Sequence, residues 1–159
     1  MIINKKLIQF NFSGRYGAEI KYIIVHDTGN KNKGANALAH YNYFNSGNRN
    51  ASAHYFVDSN QVVQTVEDFH SSWHCGDGKG KYGIWNKNSI GIEICINMDG
   101  SFENALINTH NLILYLMDKH KICKKNVLRH YDASGKICPR SLSPDNWNGW
   151  FDFHNNLYC

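Results

Sequence analysis

The segment YIIVHD, residues 22–27, is apolar until its last two positions, which predicts a strand buried on both faces. SIGIEICIN, residues 89–97, instead alternates: Ile90, Ile92, Ile94 and Ile96 fall on one side, and Ser89, Gly91, Glu93, Cys95 and Asn97 on the other. Period two predicts a strand with one face on a core. Between these segments, Ala37, Leu38, Tyr41 and Phe44 share one face at helical spacing. Residues 54–67 hold two β-rich stretches around Asp58-Ser59-Asn60, the pattern of a hairpin. Residues 104–121 predict a helix whose broad apolar face carries Leu106, Leu112, Ile113, Leu116 and Met117. NVLRHYD, residues 126–132, reads as a short final strand or strand end, and residues 146–158 as a terminal helix. Strands separated by helical segments predict an α/β fold, a central mixed β-sheet flanked by helices. No repeat, low-complexity tract or linker interrupts the chain, so 1–159 is expected to be one domain.

Composition narrows the class. The 42% apolar and 19% charged residues are globular values and exclude disorder. Net charge is +4, which favours an anionic partner, yet no run of five like charges supplies a nucleic-acid arm; an ordinary solvated surface with excess lysine fits as well. The aromatics suit either a lined groove or core filling. MIINKKLIQF is too short and polar for a signal peptide, and no stretch of about 18 apolar residues occurs. The expectation is therefore synthesis and folding in the cytoplasm, with no membrane insertion. Five cysteines (75, 95, 123, 138 and 159), an odd number without a secretion signal, favour thiols or ligands over a disulfide framework.

Most of the nine histidines invite a structural reading. His110 projects onto the apolar side of its helix, His40 borders a helix face, His120 lies in a last helical turn where positive charge suits the dipole, and His154 sits near the terminus. His26 and His130 differ, because each stands at the end of an apolar run, where α/β sheets collect functional side chains. Cys138 follows His130 by eight residues, and a turn at Ser134-Gly135 would fold it back. Two imidazoles and a thiolate are a zinc set that leaves a fourth position open. By spacing alone the alternative stands beside it: a buried thiol and two histidines bonded to backbone carbonyls. Glu93, opposite the isoleucines and near Gly91, is either a solvated strand residue or a general base.

At these residues the sequence resembles the zinc-dependent N-acetylmuramoyl-L-alanine amidases of the phage endolysin and autolysin type, which share a fold with the peptidoglycan recognition proteins. The resemblance runs from about Lys21 to Trp150 and rests on YIIVHDTGN, SAHYFVD, SSWHCGDG, NSIGIEICIN and RHYDASGKICP, in the family's order. It looks most like enzymes from phages or prophages of low-GC Gram-positive bacteria such as clostridia. It implies that His26, His130 and Cys138 bind zinc, that Glu93 is the general base, and that Lys136 stabilises the oxyanion. It implies substrate contacts from Trp73 and His74, with Thr28, Asn30 and His54 as further groove positions. One departure is Ala53, where some phage members carry a catalytic-site tyrosine; Glu93 implies the glutamate variant instead. The partner implied is bacterial peptidoglycan, reached after release from the cell. Relatives of this type usually carry a separate cell-wall-binding domain, which is not visible here. The competing readings are a non-catalytic peptidoglycan-binding module on the same scaffold, another zinc peptidase or esterase (disfavoured, since no HExxH motif occurs), and a nucleic-acid binder resting on mild charge alone.

Overall fold

Ile90, Ile92 and Ile94 do what their spacing predicts: all three are fully buried in one core cluster. The computed structural model describes residues 2–158. It contains eight strands: β1 (Ile3–Lys5), β2 (Phe12–Gly14), β3 (Tyr22–Asp27), β4 (Tyr55–Val57), β5 (Val62–Gln64), β6 (His70–Ser72), β7 (Ser89–Ile94) and β8 (Val127–Arg129). Four helices accompany them: α1 (Ala37–Phe44), α2 (Phe102–His120), α3 (His130–Ser134) and α4 (Pro144–Asn155). Six strands form the main sheet in the order β1-β5-β4-β7-β3-β8, and β2 pairs with β6 in a small antiparallel sheet. The main sheet is mixed, since only β4 and β5 pair antiparallel. Their hairpin is held by Asp58 Oδ1, which accepts from the Asn60 and Gln61 amides at 2.7 and 2.9 Å.

One face of the sheet is covered by α2 and α4. Ile23 and Val25 of β3, Tyr55 and Val57 of β4 and the β7 isoleucines meet Leu112, Ile113, Leu116 and Met117 of α2 and Trp150 and Phe153 of α4. Ser101 caps α2, its side chain accepting from Asn104 N at 3.2 Å. The other face is covered in two separate places. Tyr41 and Phe44 of α1 pack with Ala37, Phe56 and Val63. Ile24 and Leu128 pack with Cys75, Ile84 and Ala133. Between these clusters the sheet presents His26 of β3 and Glu93 of β7, which are register partners.

Some expectations shift. The alternating segment leaves the sheet after Ile94, where Thr28 N and Cys95 N take over the bonding, to Ile94 O and Val57 O. Leu38 is 36% exposed, outside the α1 packing face. Strand β8 stops at Arg129, and His130 opens α3 rather than prolonging a strand. The last helix begins at Pro144, and Asp145, Asn146 and Trp147 take positive φ in its first turn. The three-residue strands β1, β2 and β6 are too short to show a period. No helix is long and apolar enough to cross a membrane among the described residues. Cys75, Cys95, Cys123 and Cys138 are free thiols, and Cys159 lies outside the described residues.

Candidate active site

Parallel pairing builds the site. Strand β3 lies between β7 and β8, so the C-terminal ends of all three reach the same edge of the sheet. His26 stands at one such end, and His130 immediately follows another. Helix α3 ends at Ser134 with Gly135 as its left-handed cap, and the chain returns so that Tyr131 N bonds Cys138 O at 3.0 Å. Cys138 Sγ thereby comes to 3.7 Å from His26 Nδ1, across 112 residues of sequence. His26, His130 and Cys138 are all buried, with donor atoms within 4.8 Å of one another, an arrangement that could hold a metal ion.

The hydrogen bonds around the two histidines agree on which ring nitrogens face inward. Ser89 Oγ donates to Trp85 O at 2.6 Å, so it accepts from His74 Nε2, 3.1 Å away. His74 Nδ1 then carries the lone pair and accepts from His26 Nε2 at 3.0 Å, which leaves His26 Nδ1 as the free electron pair beside Cys138. His130 repeats the logic with a carboxylate. Its Nε2 donates to Asp77 Oδ1 at 2.7 Å, and its Nδ1 is buried without a partner among the described residues. Burial lowers the pKa of His26, His74 and His130; repulsion between the clustered rings, were they protonated, and the charges of Lys136 and Arg15 add to this at His26 and His74 respectively, and Asp77 opposes it at His130. All three rings are therefore neutral, the form that ligates. Burial, with Glu93 adding to it, pushes the Cys138 thiol up to about 12 in the metal-free protein.

Glu93 faces the same space. Its Oε2 is buried and has no hydrogen-bond partner among the described residues. Burial, reinforced by Asp27 and opposed by Lys136, holds its acid well above the usual carboxylate range. A desolvated carboxyl with an unused oxygen is suited to taking up and returning a proton. Two residues away, Gly91 makes room for His74: a Cβ there would lie 2.5 Å from the imidazole Cγ.

The remaining sequence-expected residues separate. Lys136 is exposed, lines a cavity with Cys138, and acts on Glu93 and both histidines through its charge. Thr28 lines the same cavity. The Asn30 side chain instead organises its own loop, Oδ1 accepting from Asn32 N at 3.1 Å. Trp73 is half-buried, its Nε1 donating to Ser13 Oγ at 3.3 Å, toward β2. His74 is half-buried and backs His26 through its Nδ1. The expectation for His54 needs correction. Its ring is fully enclosed: Gly91 N donates to Nδ1 at 3.0 Å, Ser72 Oγ lies 2.7 Å from that nitrogen, and Arg15 Nη2 lies 2.9 Å from Nε2. No surface is left for substrate. Among the histidines expected to be structural, His110 bonds Asn156 O at 3.1 Å, His120 pairs with Asp68 at 2.8 Å and His154 bonds Lys124 O at 3.2 Å.

Asp77 and Asp27 were not singled out by sequence. Asp77 sits in the turn Gly76–Gly78, which lies so close to α3 that a side chain at Gly78 would strike Ala133 O. A carboxylate inside the quoted SSWHCGDG stretch was the available signal. Asp27 Oδ2 accepts from Ser141 N at 2.6 Å and ties down the turn Arg140–Leu142 that follows Cys138.

A family model described as N-acetylmuramoyl-L-alanine amidase matches residues 16–141. The N-acetylmuramoyl-L-alanine amidase CwlH of Bacillus subtilis is 41% identical over 137 residues, 86% of this chain and 54% of that protein. The amidase XlyA of Bacillus subtilis is 43% identical over 129 residues, 81% of this chain and 42% of that protein. The chain thus spans about half the length of the curated relatives it matches. The solved catalytic domain of XlyA matches with a TM-score of 0.86 at 38% identity, over 98% of each chain. With the family model covering most of its length, the chain belongs to the N-acetylmuramoyl-L-alanine amidases.

Proposed function

We propose that this chain is a zinc-dependent catalytic unit that hydrolyses the amide between the lactyl group of N-acetylmuramic acid and L-alanine in peptidoglycan. The observation that carries this reading is the convergence of three buried donors, His26 Nδ1, His130 Nδ1 and Cys138 Sγ, with Glu93 beside His26 on the sheet and near enough to Cys138 to act on its thiol. Zinc at its usual bond lengths, about 2.0 Å to nitrogen and 2.3 Å to sulfur, sets tetrahedral ligands roughly 3.5 Å apart. The 3.7 Å between Cys138 Sγ and His26 Nδ1 fits that spacing. Neutral imidazoles, each held by a hydrogen bond at its outer nitrogen, suit the same role. When bound there, zinc supplies Lewis acidity and a water acidified to a pKa of about 7.

The chain's own groups supply the rest. Glu93 accepts the proton of the attacking water and returns it to the alanine nitrogen, without which the amine is a poor leaving group. Lys136 donates to the oxyanion that develops on the lactyl carbonyl, a contribution of about 2.7–4 kcal/mol for a well-placed donor. Thr28 borders the same cavity and contacts substrate there. His74 and Asp77 hold the outer nitrogens of His26 and His130 and act through them. The protein works on the bacterial cell wall. Incubation with purified sacculi, followed by mass spectrometry, should yield stem peptides with a free L-alanine amino terminus, and metal analysis should find one zinc per chain. Binding to sacculi without release of such peptides would favour a non-catalytic module instead.

A further inference from the structure

Beside Cys138 opens a cavity of about 810 Å3 whose charge is lopsided. Lys31, Lys136 and Arg140 line it, against one carboxylate, Asp27. Asp27 is already engaged, accepting from Ser141 N at 2.6 Å. The backbones that carry Lys31 and Arg140 are anchored: Met98 N bonds Lys31 O at 3.1 Å, and Ser143 N and Oγ bond Arg140 O at 3.2 and 2.9 Å. Their charged ends have no ion pair or hydrogen-bond partner among the described residues. In contrast, Lys5, Lys119 and Arg129 each meet a carboxylate. Ile96, Phe102 and Ile137 give the cavity an apolar wall, and Ile137 is 56% exposed. Fixed main chain with unneutralised cations beside apolar surface is a receptor for an amphipathic anion.

The substrate's chemistry says which part of it is anionic. In the intact polymer the lactyl carboxyl of the sugar is consumed in the scissile amide, so the glycan side of that bond carries no charge. Every free carboxylate lies on the peptide side. We propose that Lys31 and Arg140 form a subsite for a stem-peptide carboxylate, and that this subsite sets the direction in which substrate lies across the site. The proposal rests on the amidase reading above. The peptide extends into the cavity beside Cys138, its carboxylate meets the two unpaired cations, and its aliphatic portions lie on Ile96 and Ile137. The uncharged glycan runs the opposite way.

Two soluble disaccharide-peptides, alike except that the glutamate α-carboxyl of one is amidated, test this with the full chain. The unaltered protein should cleave the free acid with about tenfold higher kcat/KM, the difference one charge-assisted contact supplies. Lys31→Ala/Arg140→Ala should bring the two substrates to near parity by raising KM for the free acid, and Arg140→Glu should invert the preference. Equal cleavage of both substrates by the unaltered protein, or undiminished preference in the double variant, would overturn the subsite and leave the amidase reading intact. Cleavage of neither would overturn both. An effect of the variants on whole walls but not on soluble muropeptides would assign the cations to an anionic wall polymer and would likewise overturn the proposal.

Discussion

Glu93→Ala removes a carboxyl that is the register partner of His26 and has a buried oxygen without a hydrogen-bond partner among the described residues. It should keep one zinc per chain and lower muropeptide turnover by about 10²–10⁴-fold, as loss of a positioned proton carrier does. Metal analysis beside steady-state kinetics reads both, and near-normal turnover would remove Glu93 from the chemistry. Cys138→Ser should lose metal and turnover together; full occupancy in that variant would strike Cys138 from the ligand set. Asp77→Asn keeps the shape of the His130 partner but not its charge. It should weaken zinc binding by about 10–100-fold, the usual cost of losing such an outer partner. Competition against a chromogenic chelator measures this, and unchanged affinity would show that the carboxylate's charge is dispensable. These residues were not equally legible. His26 could be read because a strand end fixes both its place and its side. Asp77 could not, because its partner lies 53 residues away and only the fold joins them. His54 misled for a related reason: a histidine preceding a strand looks the same whether its ring faces a groove or, as here, Arg15 and Ser72.

Strand β7 carries two opposite requirements on two faces. Its isoleucines complete the core against α2, while Gly91 and Glu93 face the site. Period two announced this division, and so the element central to function was also the most readable. Gly91→Ala tests the site face without touching the core face. Its methyl group would press on the His74 ring, and the strand has no freedom to retreat between β3 and β4. The expected result is weakened zinc affinity with the far-ultraviolet dichroism of the parent. Unchanged affinity would mean that His74 can move without consequence for His26. Elements that escaped sequence reading did so for want of length. A three-residue strand has no measurable period, and α3, with five residues, is defined by the way β8 ends and by its cap rather than by an apolar face.

Across the whole molecule, buried polar groups tie distant segments together and make stability depend on pH. Burial raises the Asp68 pKa, but bonds from His120, Lys119 and Tyr55 outweigh it and hold this carboxylate far below its ordinary 3.8. A depressed acid stabilises the fold above its unfolded value, and that contribution fades as pH falls below it. His54 is lowered from 6.5 to about 3 by burial and then by Arg15. The unfolded chain takes up this proton from about 6.5 downward, whereas the folded chain resists it until about 3, so stability declines across that interval. In chelator-treated protein, the urea midpoint should therefore fall steadily from pH 6.5 toward 3, the His54 share first and the Asp68 share last. A constant midpoint between pH 7 and 4 would contradict this. The α/β class, the mixed sheet and its helical flanks were legible because long periodic segments define them. The Arg15–His54–Asp68 region was not, since burial of charge leaves no mark on local pattern.

The separation of 112 positions between His26 and Cys138 also orders events during synthesis. A ribosome delivers His26 first and Cys138 only after the whole intervening stretch has been made. Until then a growing chain holds at most two of the three donors and lacks the turn that anchors the third. Strand β8, which closes the sheet beside β3, appears just eleven residues before that cysteine. Products that stop short of Cys138 are thus inert on this reading, and hydrolytic capacity arrives only with the segment that carries this cysteine.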